Sequence, residues 1–143
     1  MALPTLTLDA NVVVSALRSS LGASHRLMEL VGEGGFEIGI TAALVLEYES
    51  VCKRLEGVAW VTAEDVDTLV DYLCRVGKRS VIHFRIRPAV PDLDDEMVLE
   101  AAIASGSDWI VTHNVRDLAT AAARFGIEVI TLAEALRRLG EAR

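Results

Sequence analysis

Four carboxylates in this 143-residue chain stand where side chains can do chemistry: Asp9, Glu47, Asp95 and Asp117. Asp9 ends a short apolar stretch, with Asn11 two residues on. Glu47 falls in the second turn of the helix expected after the second apolar stretch. Asp95 belongs to the acidic run Asp92-Leu-Asp-Asp-Glu96, and Asn114 and Asp117 close the segment Thr112-His-Asn-Val-Arg-Asp117. Carboxylates gathered at one edge repel each other and resist ionisation unless a cation neutralises them. An all-oxygen set, without His or Cys at ligand spacing, suits a hard ion such as Mg²⁺ or Mn²⁺. An ion held in that way is suited to phosphodiester hydrolysis, because it activates water and stabilises charge on the phosphate and the leaving oxygen.

Each residue also has a plainer role when taken alone. Asp9, Asn11 or Asp117 can cap a helix, the 92–96 run can complement a helix dipole, and Glu47 can be a solvated helix carboxylate. Their recurrence at successive strand ends favours the shared site.

The elements that would position them alternate. Strands are expected over 5–8, 36–40, 81–84, 109–111 and 128–131. Helices are expected over 11–20, 23–31, 42–55, 62–76, 92–104, 117–124 and 133–139, with Thr41 as one cap. Thr62 with Asp65 is a partial capping box, since Glu or Gln is the usual partner. Residues 85–91, with Pro88 and Pro91, read as a loop. This order implies a single α/β domain over residues 1–143, three layers (α/β/α) with a five-stranded parallel sheet. In such open sheets the site lies beyond the strands' C-terminal ends, where the strand order reverses.

Composition agrees. Hydrophobic residues make up 52% but aromatics only 5%, so the apolar mass is aliphatic, as helices packed on a buried parallel sheet require. The net charge of −7 argues mildly against nucleic acid. Local clustering of Arg18, Arg26, Arg116 and other cations would offset it, and these three arginines are the candidates for substrate-backbone contacts. Cys52 and Cys74 read as reduced core thiols, Trp60 and Trp109 as packing residues, and His113 as a loop histidine beside the site. With no cleavable leader and no membrane span in the sequence, a cytoplasmic location is expected.

Leu8-Asp-Ala-Asn-Val12, Asp92-Leu-Asp-Asp95 and Trp109-Ile-Val-Thr-His-Asn-Val-Arg-Asp-Leu118 together resemble the PIN-domain family, with the nearest likeness to VapC-type toxins of prokaryotic toxin–antitoxin pairs. The resemblance implies a Mg²⁺- or Mn²⁺-dependent endoribonuclease acting on RNA, a homodimer and a cognate antitoxin covering the groove. It matches Asp9, Glu47 and Asp95 to the metal-binding acids, with Asp92 and Asn11 assisting, and Thr112 to a residue that positions a ligand or water. Asn114 stands where many relatives carry aspartate, and Asp117 is a substitute fourth acid. Two rivals remain: a catalytically silent PIN-like module that binds RNA or protein, favoured by Asn114, and a phosphotransfer enzyme with Asp9 as nucleophile. The latter is disfavoured by Asn11 in place of a second aspartate and by the lack of any lysine after Lys78.

Overall fold

The computed structural model describes residues 3–19, 21–57, 60–82 and 93–140. Strands β1 (Thr5–Leu8), β2 (Glu37–Ile40), β3 (Lys78–Arg79), β4 (Trp109–Val111) and β5 (Glu128–Ile130) alternate with helices α1 (Ala10–Arg18), α2 (Ala23–Leu30), α3 (Ala42–Lys53), α4 (Ala63–Val76), α5 (Leu93–Ser105), α6 (Val115–Ala123) and α7 (Leu132–Arg138). The sheet is parallel throughout, in the order β3-β2-β1-β4-β5. The chain enters at the centre, builds outward through β2 and β3, then crosses back to β4 and β5. The order therefore reverses between β1 and β4, where Leu8 pairs with Val111.

All four residues of β1 are buried, as a strand covered by helices on both faces must be. Right-handed crossovers place the helices of the outward and return journeys on opposite faces. Accordingly α1 packs on α2 and α3, and α3 on α4, while α5 lies over β1, β2 and β4 and touches α6. Gly39 makes the α5 packing close: a Cβ there would stand 2.3 Å from Ser105 Oγ. Ser105 and Ser107 share a hydrogen bond of 2.7 Å, and Ser107 another of 2.7 Å with Thr7.

Four local expectations need correction. The third strand is Lys78–Arg79, not 81–84. Val81 and Ile82 are outside any strand, and His83, Phe84 and the loop 85–91 lie outside the described residues. An edge strand pairs on one side only and needs no apolar side chains, so the polar pair escaped a search for hydrophobic runs. Gly77 permits the early start, since a Cβ there would lie 2.6 Å from Leu73 O and 2.8 Å from Ile40 Cδ1. Trp60 does not pack: it is 98% exposed with φ of 65°. The turn closes with Gly57 N–H donating to Val61 O at 3.2 Å, Val61 takes the buried place and Trp60 faces outward. Finally, α6 begins at Val115, two residues before the expected start. The Thr62–Asp65 pair forms the full reciprocal capping box, because aspartate reaches the N-cap N–H here as glutamate usually does.

Candidate active site

The β1–α1 junction carries Asp9 at the N-cap of α1, yet its side chain makes no capping hydrogen bond. Its carboxylate, 7% exposed, instead accepts a hydrogen bond of 2.6 Å from Thr112 Oγ1 at the end of β4. The buried Thr112 hydroxyl also accepts the backbone N–H of Asn114 at 3.0 Å. Both hydrogen-bonding roles of the hydroxyl are thus used, and its orientation is fixed by the pair. Asn114, the N-cap of α6, likewise leaves its helix without a side-chain cap. The peptide joining Leu8 to Asp9 is held on both sides: the Asp9 N–H donates to Val111 O at 3.0 Å, and the Leu8 carbonyl accepts from the Tyr48 hydroxyl. Tyr48 is fully buried, and burial, followed by the negative charge of Asp9, pushes its hydroxyl well above its ordinary pKa. The group stays protonated and remains a donor.

These residues border a cleft of about 380 Å³ beyond the β1 and β4 ends. Asp9, Asn11, Glu47, Asp95 and Asn114 all line it. Glu47 and Asp95 are half-buried, held by α3 and by the first turn of α5. Asp117 is exposed in the first turn of α6 and is not part of the lining; there it complements the helix dipole. Asp92 lies outside the described residues. Of the three arginines, Arg18 reaches the cleft. Arg26, on α2, stands 3.8 Å from Glu29, and Arg116 is exposed on α6; neither lines the cleft.

Ser15 and His113 were not among the expected site residues, and both line the cleft. Ser15 Oγ donates to Asn11 O at 2.8 Å and lies 3.1 Å from His113 Nε2. Because the single hydroxyl proton is directed at Asn11, the histidine nitrogen is the donor in that pair. The His113 backbone N–H reaches Asn11 Oδ1 at 3.4 Å. A sequence signal existed: Asn11, Ser15 and Arg18 recur at i, i+4 and i+7, a polar stripe on an otherwise apolar helix. Tyr48 gave no such signal beyond its place next to Glu47. Cys52 is buried, with a thiol pushed up to about 11 by desolvation, and Cys74 is half-buried; both are free thiols, as expected.

Among the described residues no three His, Cys, Asp or Glu side chains form a ready-made metal cluster. Asp9, Glu47 and Asp95 share the walls of one cleft without being drawn together. Their chemistry fits a hard divalent ion nonetheless, since three carboxylates and the Asn11 and Asn114 amides line the same cleft and offer it oxygen donors.

The PIN domain family profile matches residues 5–116, a span that includes Asp9, Glu47, Asp95, Thr112 and Asn114 and stops just short of Asp117. No protein of curated function matches the chain in sequence. Among solved structures, a chain from the crystal structure of VapBC2 from Rickettsia felis bound to a DNA fragment from their promoter is similar. The two are 13% identical with a TM-score of 0.59, over 89% of this chain and 98% of that one. At that identity the likeness concerns the fold. No helix among the described residues is long and apolar enough to cross a membrane. With a profile match running from β1 into α6 over a five-stranded parallel sheet of this order, the chain belongs to the PIN-domain family, whose members are generally nucleases.

Proposed function

We propose that this protein is a Mg²⁺- or Mn²⁺-dependent endoribonuclease. The observation that carries the reading is that Asp9, Glu47, Asp95 and Asn114, from four separate elements, line one cleft at the point where strand order reverses. Asp9, Glu47 and Asp95 would hold the ion, and the amide oxygen of Asn114 would add a neutral donor. Bound there, a divalent ion supplies activated water and neutralises charge on the scissile phosphate. Thr112 keeps the Asp9 carboxylate aimed into the cleft, and Arg18 offers a cation to the RNA backbone. Asp117, outside the lining, is the weaker candidate for the fourth position.

The biological role we infer is that of the toxin in a toxin–antitoxin pair, cytoplasmic and homodimeric, with a cognate antitoxin as partner. The fold shared with a chain of the Rickettsia felis VapBC2 structure supports it. Purified protein should cleave single-stranded RNA with Mg²⁺ or Mn²⁺, leave 5′-phosphate and 3′-hydroxyl ends, and lose activity in EDTA. Equal cleavage by wild type and Asp9→Asn would reject the assignment. The second reading, a silent PIN-like module that binds RNA or protein, draws on Asn114, which adds no charge to hold a cation. Calorimetric titration with Mn²⁺ separates the two, since a silent module has no requirement for the ion.

A further inference from the structure

We infer that Tyr48 is a positioning residue that fixes the separation of Asp9 and Glu47, and through it the affinity of the cleft for its divalent ion. This inference rests on the proposed metal site.

The geometry is specific. The β1–β2 register runs Thr5↔Glu37 and Leu6↔Ile38. Two residues further along β1, the Leu8 carbonyl accepts its hydrogen bond from α3, through Tyr48. That carbonyl belongs to the peptide whose nitrogen is Asp9's own, and the nitrogen is held by Val111 of β4. Asp9 thus leaves a peptide clamped between α3 and β4, while Thr112 fixes its carboxylate. Tyr48 is the residue after Glu47 on α3, so the helical turn that sends Glu47 into the cleft is the turn tied to the Asp9 peptide. The hydroxyl is fully buried, away from competing water, and no more than one backbone peptide separates it from Asp9. Removing it lets α3 and the β1–α1 junction move relative to each other, which changes the gap that two carboxylates must bridge when they share an ion. Groups that orient metal ligands in this way typically govern affinity by roughly 10- to 100-fold.

The chain supplies its own control. Its other tyrosine, Tyr72, also donates to a main-chain carbonyl, that of Val31, and it is not part of the cleft lining. Mn²⁺ titration calorimetry on wild type, Tyr48→Phe, Tyr72→Phe and Asp9→Asn, with thermal unfolding in EDTA, separates position from stability. The expected result is Mn²⁺ binding roughly 10- to 100-fold weaker in Tyr48→Phe, with wild-type affinity in Tyr72→Phe although both lose melting temperature. In RNA cleavage at sub-saturating metal, Tyr48→Phe should lower kcat and leave KM for RNA unchanged, and saturating metal should bring kcat back toward wild type. Equal Mn²⁺ affinity in the two tyrosine variants, whether unchanged or equally reduced, overturns the inference. Failure of wild type itself to bind Mn²⁺ overturns the proposed function instead.

Should Tyr48→Phe not fold, the Tyr72→Phe chain labelled with 3-fluorotyrosine carries its single fluorine probe at position 48. Its ¹⁹F resonance should shift on Mg²⁺ titration with the dissociation constant measured by calorimetry. A resonance that ignores Mg²⁺ rejects the coupling.

Discussion

Four strands of this sheet hand the chain directly to a helix, and the two central junctions differ from the two outer ones. At β2–α3, Thr41 caps its helix by accepting from Leu44 N at 3.2 Å, and at β5–α7, Thr131 accepts from Glu134 N at 3.1 Å. At β1–α1 and β4–α6 the N-cap residues are Asp9 and Asn114, both good capping types, and neither side chain caps its helix. Asp9 is bonded by Thr112 from the neighbouring strand, and both residues face the cleft. The central pair sits where strand order reverses and a crevice opens between diverging connections. The outer pair lies away from that reversal: β2 runs between β3 and β1, and β5 is the sheet's edge. A cap residue relieved of capping, at the point where the strand order reverses, is a stronger mark of function than a carboxylate at a helix start.

The comparison is broken most severely at Asp9. Asp9→Asn keeps an acceptor for Thr112 but removes the charge, so RNA cleavage should fall at least roughly 100- to 1000-fold, comparable with the loss of one electrostatic stabiliser of a transition state. Melting temperature should hold or rise, because a buried charge is also removed. A variant that loses activity and stability together would mean that Asp9 is structural. Next is Thr112→Val, which preserves shape and removes the hydroxyl shared by Asp9 and Asn114. Activity should drop roughly 10- to 100-fold, and chemical denaturation should show a loss of about 1–3 kcal/mol from the polar groups left without that partner.

The sheet, its parallel sense and the cleft acids were legible because buried central strands must be aliphatic and because acids follow strands at fixed places in the pattern. The edge strand Lys78–Arg79 was not, since its pairing uses backbone alone and its exposed side chains carry no hydrophobic signal. Trp60 misled for the opposite reason: its apolar neighbours suggested burial, while a positive φ turns it outward. Asp9, Asp95, Thr112 and Asn114 could be chosen from sequence because each lies at or near an element boundary, and Glu47 because it falls in the second turn of the helix after a strand. The roles of Ser15, His113 and Tyr48 depend on which helix packs beside which strand end, and that is a tertiary fact. Which of Asn114 and Asp117 lines the cleft likewise depends on one helical turn, since α6 starts at Val115 and leaves Asp117 exposed and outside the lining.

Two paired substitutions sharpen the same contrast at smaller amplitude. Thr131→Ala removes a working cap and should destabilise by about 1 kcal/mol, with RNA cleavage unaltered. Asn114→Ala removes no cap, so its effect on stability should stay below about 0.5 kcal/mol, while Mn²⁺ affinity and cleavage fall. Equal stability losses in the two variants, measured by urea denaturation, would erase the distinction between inner and outer junctions.

The outer junction also has an acid, and its behaviour with pH is the finest test. Glu134, in the first turn of α7, accepts from Arg137 and Arg138, and these hydrogen bonds lower its pKa from 4.5 to about 2. A carboxyl whose folded pKa is depressed contributes stability that is present above its unfolded value and lost as pH falls through the folded one. The contribution of Glu134 should therefore be intact above pH 4.5 and disappear between there and about pH 2. Solvent screening at so exposed a site keeps the amplitude small. Carboxyl chemical shifts followed by NMR in the Asp9→Asn background should show Glu134 titrating near the bottom of that window, indifferent to Mg²⁺. A Mg²⁺-dependent shift at Glu134 would place the ion at the wrong junction, because its carboxylate is committed to two arginines of its own helix.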